Sequence, residues 1–159
     1  MTTRRFRDGS PFESAAGYSR AVRQADHVSV SGTAALGQDG ILHPGDAYLQ
    51  TAEALRRALA AAAELGASPH DVARTRLLLT PGCDWRGAIR AHGEVFANDG
   101  PANTTYFVAG FIPDGVLVEI ELLKTTNQET IERLNDCRDE RALRTTSCRQ
   151  GVRTRVEAC

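Results

Sequence analysis

The sequence predicts a single α+β domain in which two helices pack on one face of a mixed β-sheet. The first observation is the order of the segments, β-β-α-β-α-β-β, which follows from two-residue and 3.6-residue hydrophobic periodicities. The second is that glycine, proline and aspartate separate these segments. The third is that no further helical pattern occurs before residue 127, so the second sheet face needs another cover. We expect a second copy of the chain to supply it.

Length and composition are ordinary for one globular domain. The chain has 159 residues, of which 42% are hydrophobic and 25% are charged, and its net charge is −1. A nearly neutral chain gives no electrostatic reason to expect a nucleic-acid or membrane partner. No apolar run approaches the ~20 residues of a membrane span, and the first residues lack the apolar core of a secretory signal, so we expect a cytoplasmic protein. The four cysteines lack zinc-ligand spacing, so no metal site is expected.

The first predicted elements are a short strand near residues 4–7 and a β-hairpin. The hairpin joins Tyr18–Gln24 to His27–Ser31. Its second strand ends at Ser31-Gly32-Thr33, where a glycine would let the backbone come close to a ligand. The alternative is a plain strand end, which the spacing alone favours.

A long helix follows, capped by Asp46 and running to about Leu65, with Gly66 as its C-cap. Apolar residues at spacings of three and four predict its buried stripe: Tyr48, Ala52, Leu55, Leu59 and Ala62.

The next strand and helix are predicted at Arg74–Thr80 and Trp85–Asn98. Three consecutive leucines, residues 77–79, indicate a strand buried on both faces. Asp84 caps the helix, whose predicted inner stripe is Trp85, Ala88, Ile89, His92 and Phe96. A lone histidine on an apolar stripe is usually a packing residue, and catalysis is the alternative.

The last two strands are predicted at Thr104–Phe111 and Val116–Leu123, with a tight reversal at residues 112–115. Alternation in the second of them places its valines and isoleucine on one face and Glu119 and Glu121 on the other. A strand carboxylate is usually solvated. The alternative is a carboxylate at a pocket edge, whose pKa burial would raise toward acid–base work.

The hydrophobic pattern of the core ends near Lys124. Residues 127–159 are rich in arginine and acidic residues and poor in apolar ones. We therefore expect a domain over residues 1–126 and a charged, flexible C-terminal extension over residues 127–159.

Taken together, four segments resemble the Rid (YjgF) family in order and spacing. They are Ala16-Gly17-Tyr18-Ser19-Arg20-Ala21-Val22, Val30-Ser31-Gly32-Thr33, Ala91-His92-Gly93-Glu94-Val95-Phe96, and the pair Pro101-Ala102-Asn103 with Val118-Glu119-Ile120-Glu121. Each motif alone is weak, and their common order over residues 6–125 carries the resemblance.

The resemblance implies a chorismate-mutase-like fold and a homotrimer whose sheets form a central barrel with clefts between subunits. It also implies hydrolysis of reactive enamines and imines, without a cofactor. By matching position, Glu119 would orient the water, Ser31, Gly32 and Thr105 would line the cleft, and Tyr18 would border it.

The sequence departs from the family pattern where an arginine usually binds the substrate carboxylate. That position is Asn103, and losing a charged fork costs about 2–4 kcal/mol of binding, on the order of a hundredfold. The chain thus resembles family divisions that lack this arginine. Arg90 on the second helix is a candidate replacement, and a solvated helix arginine is the alternative.

Three functions remain open from the sequence. The first is a Rid-type hydrolase acting on an enamine, imine or related small carbonyl compound, with Glu119 orienting water. The second is a trimeric small-molecule-binding protein without turnover, which Asn103 favours. The third is the ribonuclease role attached to some relatives, which a net charge of −1 disfavours.

Overall fold

Eight strands and three helices form residues 2–125, the part of the chain that this computed structural model describes. In chain order they are β1 (Thr3–Phe6), α1 (Pro11–Ala16), β2 (Ala21–Gln24), β3 (His27–Ala34), β4 (Leu36–Gly37), β5 (Gly40–Ile41), α2 (Ala47–Ala63), β6 (Val72–Leu79), α3 (Trp85–Val95), β7 (Ala102–Phe107) and β8 (Val118–Thr125). A 3-10 turn, Pro69–Asp71, precedes β6. The compact unit spans Met1–Thr126. The predicted C-terminal extension lies outside the described residues.

Six strands form one mixed sheet in the order β1-β2-β3-β8-β6-β7, and β4 and β5 form a small separate hairpin. Only the β6–β7 pair is parallel among the pairings of this sheet in residues 2–125. Helices α2 and α3 pack against each other, and residues of both join the core of the sheet. This arrangement confirms the predicted α+β class.

Two predictions about local structure were wrong. Helix α1 was not predicted, although Ser10 accepts the Phe12 N–H, Pro11 starts the helix and Gly17 ends it in a left-handed conformation. The tight reversal at residues 112–115 does not join neighbouring strands, because β6 lies between β7 and β8. The connection must therefore cross about 10 Å, two strand spacings, whereas the ends of a tight turn lie within about 7 Å of each other.

Alternation along β8 is as predicted. Val118, Ile120 and Leu122 are buried against the helices, and Glu119 and Leu123 lie on the other face, called here the outer face. In β6, Leu77 and Leu79 are buried. Leu78 is only half-buried in the single chain, because α2 and α3 cover one face of the sheet and leave the outer face open.

Helices α2 and α3 contact each other through small residues, so their buried residues differ from the predicted stripes. In α3, Ala88 is buried and His92 is half-buried, but Trp85 and Ile89 are about 40% exposed. Phe96, which follows α3 as its C-cap, is buried. A Cβ on Gly87 would lie 3.3 Å from the Tyr48 Cβ, so the two helices approach along Gly87, Ala88 and Ala91. In α2 the buried face follows the alanines with Leu55, and Tyr48, Ala52 and Leu59 are half-buried.

Candidate functional site

Ser31 and Gly32, predicted as a strand end, lie inside β3, which continues to Ala34, and they form a β-bulge beside Glu119. The pairing of β3 with β8 shifts register between Val30 and Thr33, and it resumes with Thr33 opposite Ile120 and Ala34 opposite Glu119. A Cβ built on Gly32 would overlap Glu119 Oε1 and lie 2.6 Å from Glu119 Cδ. With Glu119 in this position only glycine fits here, because the carboxylate occupies the space that a side chain would take.

Glu119 is half-buried on the outer face. Burial raises the pKa of its carboxyl group, the neighbouring Glu121 raises it further, and Arg20 opposes both. Glu121 differs, because it forms a 2.8 Å ion pair with Arg76. Two carboxylates on the same strand face therefore have different environments: Glu119 is half-buried with a raised pKa, and Glu121 is paired with Arg76.

Arg20 forms hydrogen bonds with three parts of the wall of the site. Its Nη1 donates to the Gly32 carbonyl at 2.6 Å and to Thr33 Oγ1 at 3.2 Å. Its Nε donates to Asp8 Oδ2 at 3.0 Å, and its Nη2 donates to the Tyr18 hydroxyl at 3.1 Å. The guanidinium thus holds the bulge, the tyrosine and the loop before α1 in one arrangement.

A buried carboxylate secures the same loop from α1. Glu13, which is 3% exposed, accepts the backbone N–H groups of Asp8, Gly9 and Arg20 at 3.3, 3.1 and 2.8 Å. Three N–H donors satisfy a buried charge that would otherwise be costly. These contacts hold the two ends of the segment 8–20 together around α1.

The resulting cavity has a volume of about 520 Å³. It brings together three of the residues singled out from the sequence, Tyr18, Gly32 and Glu119, and its other walls include Arg20, Arg57 and Ile112. Within residues 2–125 no group of three or more histidine, cysteine, aspartate or glutamate side chains is arranged to hold a metal ion.

Ser31 adjoins this cavity without facing it. Its hydroxyl donates to the Ser19 carbonyl at 2.9 Å, and its backbone N–H donates to the Arg20 carbonyl at 3.0 Å. Both donors of Ser31 are therefore engaged in holding β3 to the segment before β2.

Asn103 and Thr105 lie elsewhere, on the edge strand β7. Asn103 Nδ2 donates to Thr75 Oγ1 at 2.9 Å, and Thr105 Oγ1 donates to Asn103 Oδ1 at 3.1 Å. Asn103 is paired with Thr75, which is paired with the buried Leu122, so it lies on the helix side of the sheet. Glu119 lies on the opposite side, and one chain does not bring the two together.

Arg90 is not part of the cavity either. Its side chain is 67% exposed on α3, lies over the Tyr48 ring at 4.5 Å and comes within 3.9 Å of Glu94. Within one chain this is the position of a solvated helix arginine.

Sequence reasoning missed Arg20, Asp8 and Glu13 as parts of the site. The signal for Arg20 was an arginine at the start of a strand whose next residues alternate toward the core, directly after Gly17-Tyr18-Ser19. Arg57 was also missed as part of the cavity wall, and it lies four residues after the carboxylate of Glu53. It lies 3.9 Å from that carboxylate, but Arg56 makes the shorter contacts at 2.7 Å.

Comparison with known proteins supplies the family. The profile of the Endoribonuclease L-PSP family matches residues 9–125. An uncharacterized protein of Streptomyces coelicolor is 41% identical over 119 residues, which cover 75% of this chain and 89% of that protein.

The chain is a member of the YjgF/Rid superfamily. A Mycobacterium tuberculosis member of the YjgF/YER057c/UK114 family has a TM-score of 0.71 and 38% identity, covering 79% of this chain and all of that one. The YjgF gene product of E. coli has a TM-score of 0.62 at 20% identity, covering 69% and 88%, and at that identity it supports the fold alone. No helix within residues 2–125 is long and apolar enough to cross a membrane.

Proposed function

We propose that this protein is a Rid-type hydrolase that converts a small enamine or imine into a carbonyl compound and ammonia. The observation that carries the proposal is the Glu119 carboxylate, seated over Gly32 in the wall of a 520 Å³ cavity, with burial raising its pKa. Such a carboxylate can accept a proton near neutral pH, where an exposed one is a poorer base.

The chemistry needs one water and one proton carrier. Glu119 accepts a proton from water as the oxygen attacks the imine carbon, which forms a carbinolamine. Glu119 returns this proton to the nitrogen, which gives the neutral carbinolamine. It then takes the proton of the carbinolamine hydroxyl and passes it to the nitrogen as the C–N bond breaks, so that ammonia leaves as the carbonyl forms. An enamine first takes a proton on carbon to become the imine. The sum is imine plus water giving carbonyl plus ammonia, and no cofactor enters the balance.

The proposal includes a homotrimer with the working cleft between subunits, in a cytoplasmic protein. Two features support an association between copies. The edge strand β7 carries Tyr106 and Phe107 at 46% and 58% exposure, and the outer face carries the half-buried Leu78 and the exposed Leu123. A second copy would also let β7 of one chain approach the Glu119 cavity of another. Light scattering on the full chain should give three times the mass of one chain.

The test of catalysis is ammonia release from freshly generated 2-aminoacrylate. Glu119→Gln keeps the shape of the side chain and removes the base, so the rate should fall by about 100-fold or more. Glu121→Gln is the matched control, because it removes the other carboxylate of the same strand face, the one paired with Arg76. Equal rates for wild type and Glu119→Gln would refute the assignment of Glu119.

The second candidate is a trimeric binding protein without turnover, favoured by Asn103 in place of the carboxylate-binding arginine. It predicts a ligand that raises the Tm of the trimer and is recovered unchanged.

A ribonuclease role, named in the description of the family, is the third hypothesis. Cleavage of RNA by wild type that Glu119→Gln abolishes would support it.

A further inference from the structure

A chain of hydrogen bonds runs from the core to the exposed edge of β7. His92 Nε2 lies 2.9 Å from Thr75 Oγ1, Thr75 Oγ1 lies 2.9 Å from Asn103 Nδ2, and Asn103 Oδ1 lies 3.1 Å from Thr105 Oγ1. Thr75 is fully buried and His92 is half-buried against Phe96. Thr75, which is itself bonded to His92, therefore holds the amide of Asn103 in place from the core side, although Asn103 itself is exposed.

The donors and acceptors of this chain fix its direction. The Asn103 amide nitrogen can only donate, so Thr75 Oγ1 accepts from it. The single Thr75 proton then goes to His92 Nε2, because a donating His92 would leave that buried proton without an acceptor. Burial lowers the pKa of His92, in keeping with a neutral ring that accepts here. The Thr105 proton is committed to Asn103 Oδ1.

What remains free at the surface is mostly oxygen. Asn103 keeps one lone pair on Oδ1 and one N–H, and Thr105 Oγ1 keeps its lone pairs. A carboxylate would place its own oxygens against these oxygen atoms, which is unfavourable because none of them can donate a hydrogen bond. It could accept only the single N–H of Asn103. A primary amide fits better, because its NH₂ donates to Oδ1 while its C=O accepts the N–H in a two-point pair.

We propose that the His92–Thr75 pair presets Asn103 to read a carboxamide or similar N–H donor, so that the ligand carries this group where a charged ligand would carry a carboxylate. The inference rests on the proposed function only in placing Asn103 at the ligand cleft. Asn103 is the specificity-determining residue, and Thr75 and His92 are positioning residues that act through it.

The test compares two probes that differ in one group, pyruvamide and pyruvate, by calorimetric titration of the full chain. We expect pyruvamide to bind about tenfold more tightly than pyruvate, the value of one well-made extra hydrogen bond. Asn103→Arg, at an exposed position that folding tolerates, should reverse the preference, because a guanidinium binds a carboxylate through two N–H groups.

A second variant tests the relay itself. Thr75→Val removes the buried hydroxyl that anchors the amide, so the two probes should bind within about twofold of each other. Thr51→Val is the matched control. It removes an equally buried hydroxyl, bonded to the Ala47 carbonyl inside α2, and should keep the wild-type preference.

The outcomes separate this inference from the proposed function. If pyruvamide binds more tightly than pyruvate but no imine is turned over, the inference stands and the hydrolase proposal is refuted. If an imine is turned over and pyruvate binds as tightly as pyruvamide, or more tightly, the inference alone is overturned. That result would require the Asn103 amide in the opposite orientation, with its N–H groups outward. Failure of pyruvamide to bind at its highest soluble concentration would overturn it as well.

Discussion

Replacement of Gly32 by alanine tests whether the placement of Glu119 matters for catalysis. The added methyl group would overlap the Glu119 carboxylate and lie 3.2 Å from its Cγ. Backbone conformation does not oppose the alanine, because Gly32 does not have a left-handed φ. The expected response is a rotation of the Glu119 side chain away from β3.

The structure separates the cost in stability from the cost in activity. The overlapping atoms belong to the end of a flexible side chain, so relief requires a rotamer change and a small shift, worth about 1–2 kcal/mol of unfolding free energy. Moving the base by roughly 1 Å should lower the rate of ammonia release on the order of 100-fold.

The assay pairs ammonia release with urea unfolding for wild type, Gly32→Ala and a matched glycine variant. Gly93→Ala is that control, because Gly93 lies in α3 with no atom within 4 Å of an added Cβ. It should stabilise the fold by about 0.5–1 kcal/mol and leave the rate unchanged.

A double variant sharpens the test. In a Glu119→Gln background, Gly32→Ala should lower the rate no further, because both changes remove the same group. A Gly32→Ala single variant that keeps its rate within threefold would refute the reasoning. So would a rate loss that persists in full when Glu119 is already replaced.

Three further predictions follow from charged groups. Arg20→Gln should raise the pKa of Glu119, because it removes the charge that opposes burial, so the acidic limb of the kcat/KM profile should move to higher pH; an unmoved limb would contradict this. Arg90→Ala should change KM by less than about twofold, since the side chain is exposed, and a large rise would place Arg90 in the cleft. Burial lowers the pKa of Lys124 to about 8 although its Nζ donates to the Ser68 carbonyl at 2.6 Å. The unfolded chain therefore binds the extra proton between pH 8 and 10, so stability should rise with pH there in urea unfolding, and Lys124→Met should abolish the rise.

Local sequence was sufficient for the elements with clear periodicity. The Asp46 and Asp84 caps bond the N–H groups of Leu49 and Gly87, as capping chemistry requires. Alternation along β8 placed Glu119 on the face opposite Ile120. Periodicity failed where the residues of the facing helix decide which side chains are buried. Trp85 and Ile89 match an apolar stripe, but the smaller Gly87 and Ala91 allow α2 and α3 to come closer.

The sequence by itself determined the fold class, the order of the main-sheet strands with α2 and α3, and the family resemblance, because hydrophobic period and turn residues act over short stretches of chain. Only the tertiary structure decided that β6 separates β7 from β8, that Arg20 joins Asp8, Tyr18 and the β3 bulge, and that Thr75 anchors Asn103. These contacts join residues far apart in the chain. Their distances follow from how the layers pack, which no local pattern records.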